Sequence, residues 1–133
     1  MTLKEYFTTQ TGSGILSTAD RQGRVSSAIY ARPRVLPDGT IALLMRERRA
    51  YRNICENPHA AYLFIEREGA YRGVRLTLCR IGELNDAELI RQLTRRTLTE
   101  EEDLAKGPKH LVQFRIEKIL DLIGPQERTF TGP

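Results

Sequence analysis

Leu3, Tyr6 and Phe7 fall at the spacing of one helical face, with polar residues among them up to Gly12-Ser13-Gly14, so the chain opens on a short amphipathic helix. An apolar strand follows over residues 15–19. Asp20-Arg21-Gln22-Gly23 supplies a turn with a glycine free to take positive φ, and a second strand over 25–35 closes a hairpin. Pro37-Asp38-Gly39 makes the next turn, and the nearly unbroken apolar run 40–45 reads as a strand covered on both faces. Residues 50–56 form a short helix with Tyr51 and Ile54 inward, stopped at Asn57-Pro58 because proline disfavours helical geometry in the residue before it. Strands resume over 59–66 and 74–84 around a Glu68-Gly69 turn.

Asn85 and Glu88 resemble a capping box opening a helix to about residue 98, with Leu89, Ile90, Leu93 and Thr97 as its apolar stripe. The acidic stretch 99–106 is a loop or one further helical turn. A last strand over 110–116 sets Val112, Phe114 and Ile116 against Leu111, Gln113 and Arg115, and 119–123 extends it or bends away. The polar tail after Gly124-Pro125 is expected to be loose unless Phe130 docks. Six strands in hairpin order with short helices between them predict a mainly β fold, a six-stranded antiparallel barrel, since closure hides sheet edges.

At 133 residues the chain has the length of one domain, spanning 1–133, and 40% hydrophobic with 29% charged residues excludes disordered and fibrous classes. Neither a charged-then-apolar leader nor an apolar run near 18 residues occurs, which predicts a cytoplasmic protein with no membrane partner. Cys55 and Cys79 are 24 positions apart and spell neither a zinc knuckle nor a redox dithiol; buried thiols in a reducing compartment are expected. His59 and His110 have no acidic residue at metal-ligand spacing and read as structural or exposed. Ser13 lies between glycines but in no strand-to-helix elbow.

Charge changes the picture through its placement. The net charge of +4 is mild, but eight arginines fall between Arg21 and Arg52 (positions 21, 24, 32, 34, 46, 48, 49 and 52). Alternation along the second strand puts Arg32 and Arg34 on one face, with Pro33 marking an edge or bulge. Arg46, Arg48 and Arg49 lie where the apolar strand gives way to the short helix. A helix N-terminus exposes unpaired amides at the positive end of its dipole, and guanidinium groups match phosphate oxygens as forks, so the junction reads as a phosphate cradle. Tyr30 and Tyr51 are candidates to line a ring pocket, with plain packing as the alternative.

The order of elements, the Asp38-Gly39 turn, the apolar strand ending at Met45, the arginines at 46, 48 and 49, and the helix carrying Asn53 and ending at Asn57-Pro58 together resemble the pyridoxamine 5′-phosphate oxidase-like family of FMN-binding split barrels. The resemblance implies a split β-barrel homodimer with FMN at the subunit interface. It implies that Arg48 and Arg49 grip the phosphate with Arg32 or Arg34 beside them, and that the backbone of Leu43, Leu44 and Met45 meets the flavin ring. Ala50 stands where many members have lysine and Arg48 where many have serine or threonine, so the grip would rest on arginine. Arg115 and Arg128 do not reproduce the C-terminal substrate motif of the pyridoxamine-phosphate oxidases, which argues against vitamin B6 chemistry. A small-molecule oxidoreductase is implied, and the absence of an acid/base or nucleophile constellation agrees with chemistry carried by a cofactor. An FMN carrier or electron-transfer protein, and a haem or deazaflavin protein of the same fold, are the alternatives. A single-stranded nucleic-acid partner needs stacking platforms along a positive groove, and 7% aromatic residues with no tryptophan weigh against it.

Overall fold

Thr2 and Glu5 exchange hydrogen bonds between side chain and backbone, and this capping box starts α1 (Leu3–Thr9), which turns Leu3, Tyr6 and Phe7 inward. The structure, a computed structural model, describes residues 1–94 and 97–132. After α1 the chain forms β1 (Gly12–Ala19), β2 (Val25–Tyr30), β3 (Arg34–Val35), β4 (Ile41–Arg46), α2 (Arg49–Glu56), β5 (His59–Glu66), β6 (Gly73–Leu84), α3 (Ala87–Leu93), α4 (Glu100–Ala105) and β7 (Lys109–Asp121). The strands make one antiparallel sheet in the order β2-β1-β5-β6-β7-β4-β3, which curls into a half-barrel.

Pro33 accounts for the largest departure from the sequence pattern. The 25–35 run is not one strand: it breaks over 31–33, so that β2 pairs with β1 at one edge of the sheet and β3 pairs with β4 at the other. Proline has no amide to give a ladder and holds its own φ, so the chain leaves one edge there and joins the opposite one. The six expected strands are seven among the described residues, and Arg32 and Arg34 do not share a strand face. Gly12 and Gly14 pair with β5 as part of β1, and both must be glycine there: a Cβ on Gly14 would lie 1.9 Å from the Tyr62 hydroxyl and one on Gly12 would lie 2.0 Å from the Ile65 carbonyl oxygen.

The C-terminal half departs in smaller ways. The helix expected to reach about residue 98 ends at Leu93, with Thr94 extended behind it, and its N-cap is Asp86 rather than Asn85, the Asp86 carboxylate accepting from the Leu89 amide at 3.0 Å. Residues 95 and 96 of that expected helix lie outside the described residues. The acidic stretch is a helix, α4, opened by a Thr99–Glu102 capping box. β7 runs on to Asp121, and register shifts against β6 at Thr77/Leu78 and Arg80/Gly82 bend the long pair. The tail is docked, Phe130 packing against Tyr6 at 5.3 Å with the Arg128 guanidinium 4.8 Å from the Tyr6 ring centre. Cys55 on α2 is exposed and Cys79 on β6 half-buried, since each sits on the outward side of its element, contrary to the buried thiols expected. No helix among the described residues is long and apolar enough to cross a membrane.

Leu16, Ile41, Met45, Tyr62, Phe64, Leu76, Leu78 and Phe114 fill one side of the sheet, and Tyr6 and Phe7 of α1 and Ile54 of α2 close over them. On the opposite side of β4 and β7, Ala42 and Leu111 pack with Leu89 of α3. β4 is therefore covered on both faces, as its apolar run requires. One polar contact inside the core fixes α2: Asn53 Nδ2 donates to Thr18 Oγ1 at 3.0 Å, with both residues buried.

Candidate functional site

β4 is paired with β7 along its whole length, from Ile41 to Arg46, but with β3 only at Ile41 and Ala42. From Leu43 onward its other edge has no strand partner among the described residues, which leaves backbone groups able to bond a planar ligand. The chain then turns sharply, the Arg48 amide donating to the Arg46 carbonyl at 2.8 Å, and α2 begins. Its N-cap, Arg48, has extended backbone and no side-chain cap, so the first amides of the helix lack a partner from the cap.

A cavity of about 380 Å³ lies over this junction, between β2, the free edge of β4, the start of α2 and Leu93, Thr94, Leu98 and Lys106 around α3 and α4. That is within the range of small-molecule sites. It opens where the barrel fails to close. Of the residues singled out from the sequence it brings together Arg32, Leu43, Leu44, Arg46, Arg48 and Arg49. Met45 is wholly buried in the core and can reach a ligand only through its backbone. Arg34 lies outside the cavity, lining a neighbouring cleft, where its Nη1 donates to Gln92 Oε1 at 3.1 Å.

The five arginines are not equivalent. Arg32 turns its guanidinium to the C-terminal end of α1, donating to the carbonyls of Phe7 at 3.0 Å and Gln10 at 2.5 Å. Arg46 donates to the carbonyls of Asp103 and Gly107 at 3.2 and 2.9 Å and pairs with the Asp103 carboxylate, which also holds Lys109 at 2.6 Å. Lys109 and Arg46 together hold the Asp103 carboxyl below its ordinary range. Arg48 and Arg49 are exposed, and among the described residues their side chains make no hydrogen bond or ion pair. Two free guanidinium groups thus flank uncapped amides, an arrangement suited to a phosphate dianion.

Tyr30 faces the cavity as expected of a ring-lining residue; burial pushes its hydroxyl pKa up and the Arg48 charge opposes that rise. Tyr51 does not line it and stacks on His110 instead. Ser26, Ala28, Leu93, Thr94, Leu98 and Lys106 also line the cavity and were not singled out from the sequence. No local signal marks them, because they arrive through the α3–α4 segment and the curl of β2. Asp103 ties this segment to β4 through Arg46, a contact between residues far apart in sequence.

No protein-family profile matches the sequence and no curated protein does, so the likeness to known proteins is one of structure. An FMN-binding protein from Syntrophomonas wolfei subsp. wolfei superposes with a TM-score of 0.69 at 22% identity, over 92% of this chain and 85% of that one. An F420 reductase gives 0.71 at 19% identity over 90% and 97% of the two chains. The fold is the pyridoxamine 5′-phosphate oxidase-like split barrel. A third split barrel, HutZ, the haem storage protein from Vibrio cholerae, gives 0.61 at 20% identity over 91% and 95% of the chains. Proteins whose names carry FMN, F420 and haem share this one scaffold, so the fold by itself selects no cofactor.

Proposed function

We propose that this split barrel binds FMN with the phosphate at the N-terminus of α2 and serves as a small-molecule oxidoreductase. The observation that carries this reading is the continuity of one feature: an unpaired strand edge at 43–45 leads directly into an uncapped helix start flanked by two unpartnered arginines. Arg48 and Arg49 with the first α2 amides would hold the phosphate, and the β4 edge and Tyr30 would meet the ring. When bound, the flavin supplies hydride or electron transfer, which leaves the protein to bind, orient and shield it. That division of labour suits a cavity whose lining, among the described residues, holds no acid/base pair.

A homodimer completes the site in this reading. Val25 and Ile29 on the outward face of β2 are 82% and 76% exposed, and Ile29 pairs with Ile15, which pairs with Leu63, so an apolar band crosses three strands beside the cavity. A second copy laid on that band would wall a cavity that one small barrel leaves open. A deazaflavin with a phosphate would use the same cradle. Haem is less well served, because neither His59 nor His110 lines the cavity. The test is to titrate purified protein with FMN, riboflavin, a phosphorylated deazaflavin and haemin. FMN is expected to bind about a hundredfold tighter than riboflavin, the worth of about two charge-assisted hydrogen bonds. Equal affinity for the two would reject the phosphate cradle. Steady-state reduction by NADH or NADPH then separates an oxidoreductase from an FMN carrier.

A further inference from the structure

Glu47 stands one residue before the N-cap of α2, so a carboxylate lies beside the helix start proposed to receive an anion. Left free, it competes for those amides, since acidic side chains are themselves favoured at a helix N-terminus. It is not left free. His110, opposite Met45 on β7, holds Glu47 Oε1 through Nε2 at 2.9 Å and Glu83 Oε1 through Nδ1 at 2.9 Å. Its ring lies flat on Tyr51 of α2, with centres 4.0 Å apart and 15° between the planes. We propose that His110 is a positioning residue for the anion cradle: its imidazolium clasps Glu47 away from the N-terminus of α2, and loss of one proton releases that carboxylate to compete with the bound phosphate. This role presupposes the phosphate cradle proposed above.

The two clasped carboxylates differ in what else holds them. Glu83 also accepts from the Tyr51 hydroxyl and from Arg80 Nη2 at 3.2 Å. Glu47 is 51% exposed, and among the described residues His110 is its only side-chain partner. A neutral imidazole keeps one N–H and can serve one carboxylate, while its other nitrogen turns a lone pair to the second. Glu47, with no other donor, is the one let go. The other charged and titratable groups around the ring leave that outcome standing. On β6, Arg80 is engaged by Glu83; on β7, Lys109 is engaged by Asp103. On α2, Arg52 reaches the Glu47 carbonyl at 3.4 Å, Tyr51 donates to Glu83, and Cys55 adjoins Tyr51. Burial works against a charge on His110, but hydrogen bonds to Glu47 and Glu83 and their charges outweigh it and hold the ring above its ordinary 6.5. The clasp is therefore closed below that ordinary value and opens as pH rises through the raised one.

The test compares FMN and inorganic phosphate binding between about pH 6 and pH 9 in the wild type, Glu47→Gln, His110→Gln and the double variant. Phosphate's own ionisation is common to all four and cancels in their ratios. Relative to Glu47→Gln, the wild type is expected to lose about fivefold in affinity across that range, the size of one partly screened like-charge contact. His110→Gln should show the deficit at every pH, and adding Glu47→Gln should restore binding. The His110 imidazole resonances in Glu47→Gln should titrate at a lower pH than in the wild type. A deficit that survives in the double variant, or identical pH profiles for wild type and Glu47→Gln, overturns the proposal. Glu47 is a surface residue, so its variant reads the effect even where His110→Gln folds poorly. If the wild type binds neither FMN nor phosphate at any pH, the cradle and this role fall together; binding without the pH difference removes only the role of His110.

Discussion

Arg48 enters the proposed cradle through its backbone and its side chain at once. Its extended conformation ends the turn after β4 and leaves the α2 amides uncapped, while its guanidinium lines the cavity unpartnered. Reversing both free charges, Arg48→Glu with Arg49→Glu, is expected to lower FMN affinity by at least about a hundredfold, since two charge-assisted contacts become repulsions. Both residues are exposed, so the circular dichroism spectrum should not change. Flavin fluorescence quenching measures the affinity. The buried Asn53–Thr18 pair offers a contrasting case. Thr18→Val keeps the shape and removes the acceptor, leaving the Asn53 amide unsatisfied; a loss of about 1–3 kcal/mol in urea unfolding is expected, with α2 as the element weakened.

At the scale of elements, the site depends on a segment that is itself lightly held. α4 is exposed except where Asp103 bridges Arg46 and Lys109, and that bridge keeps Leu98 and Lys106 over the cavity. The folded Asp103 carboxyl has a pKa lowered from its ordinary 3.8. Its contribution is therefore present above that ordinary value and disappears as pH falls through the lower folded one. Asp103→Asn should loosen the segment already at neutral pH, seen as faster amide exchange over 99–107, and should flatten the acid dependence of that exchange. Unchanged exchange would mean that the bridge does not hold the segment. The β2–β3 break has its own consequence at this scale: by sending the chain from one sheet edge to the other, it sets Ala31 and Arg32 in the cavity wall, while Pro33 and Arg34 line the neighbouring cleft.

For the molecule as a whole, the proposed dimer rests on the apolar band on β2, β1 and β5. Ile29→Glu places a charge in its centre on a residue that is 76% exposed and also lines the cavity, so sedimentation rather than affinity reads the interface. Monomer stability should change by less than about 0.5 kcal/mol, while sedimentation should shift from dimer to monomer and FMN affinity should fall with it. A variant that stays dimeric would move the interface elsewhere. The docked tail, with Phe130 on Tyr6 and the Thr131 amide on the Met1 carbonyl at 3.2 Å, ties both ends of the chain to one core.

Local chemistry was enough to locate the junction on which everything turns. The apolar run to Met45, the arginines after it and the stop at Asn57-Pro58 are adjacent in sequence, and a strand end and a helix N-terminus are local objects; β5 likewise has the bounds expected of it, 59–66. Which arginines are free was not legible, because that depends on partners distant in sequence: the α1 carbonyls claim Arg32, Gln92 claims Arg34 and Asp103 claims Arg46. The clasp of His110 by Glu47 and Glu83 was hidden for the same reason, its members lying on three separate stretches of chain. Sequence by itself determined where unpaired backbone and positive charge would occur together, since both follow from neighbouring residues. Only the tertiary structure decided which of those charges remain unspent, because pairing is settled by which surfaces the folding sheet brings into contact.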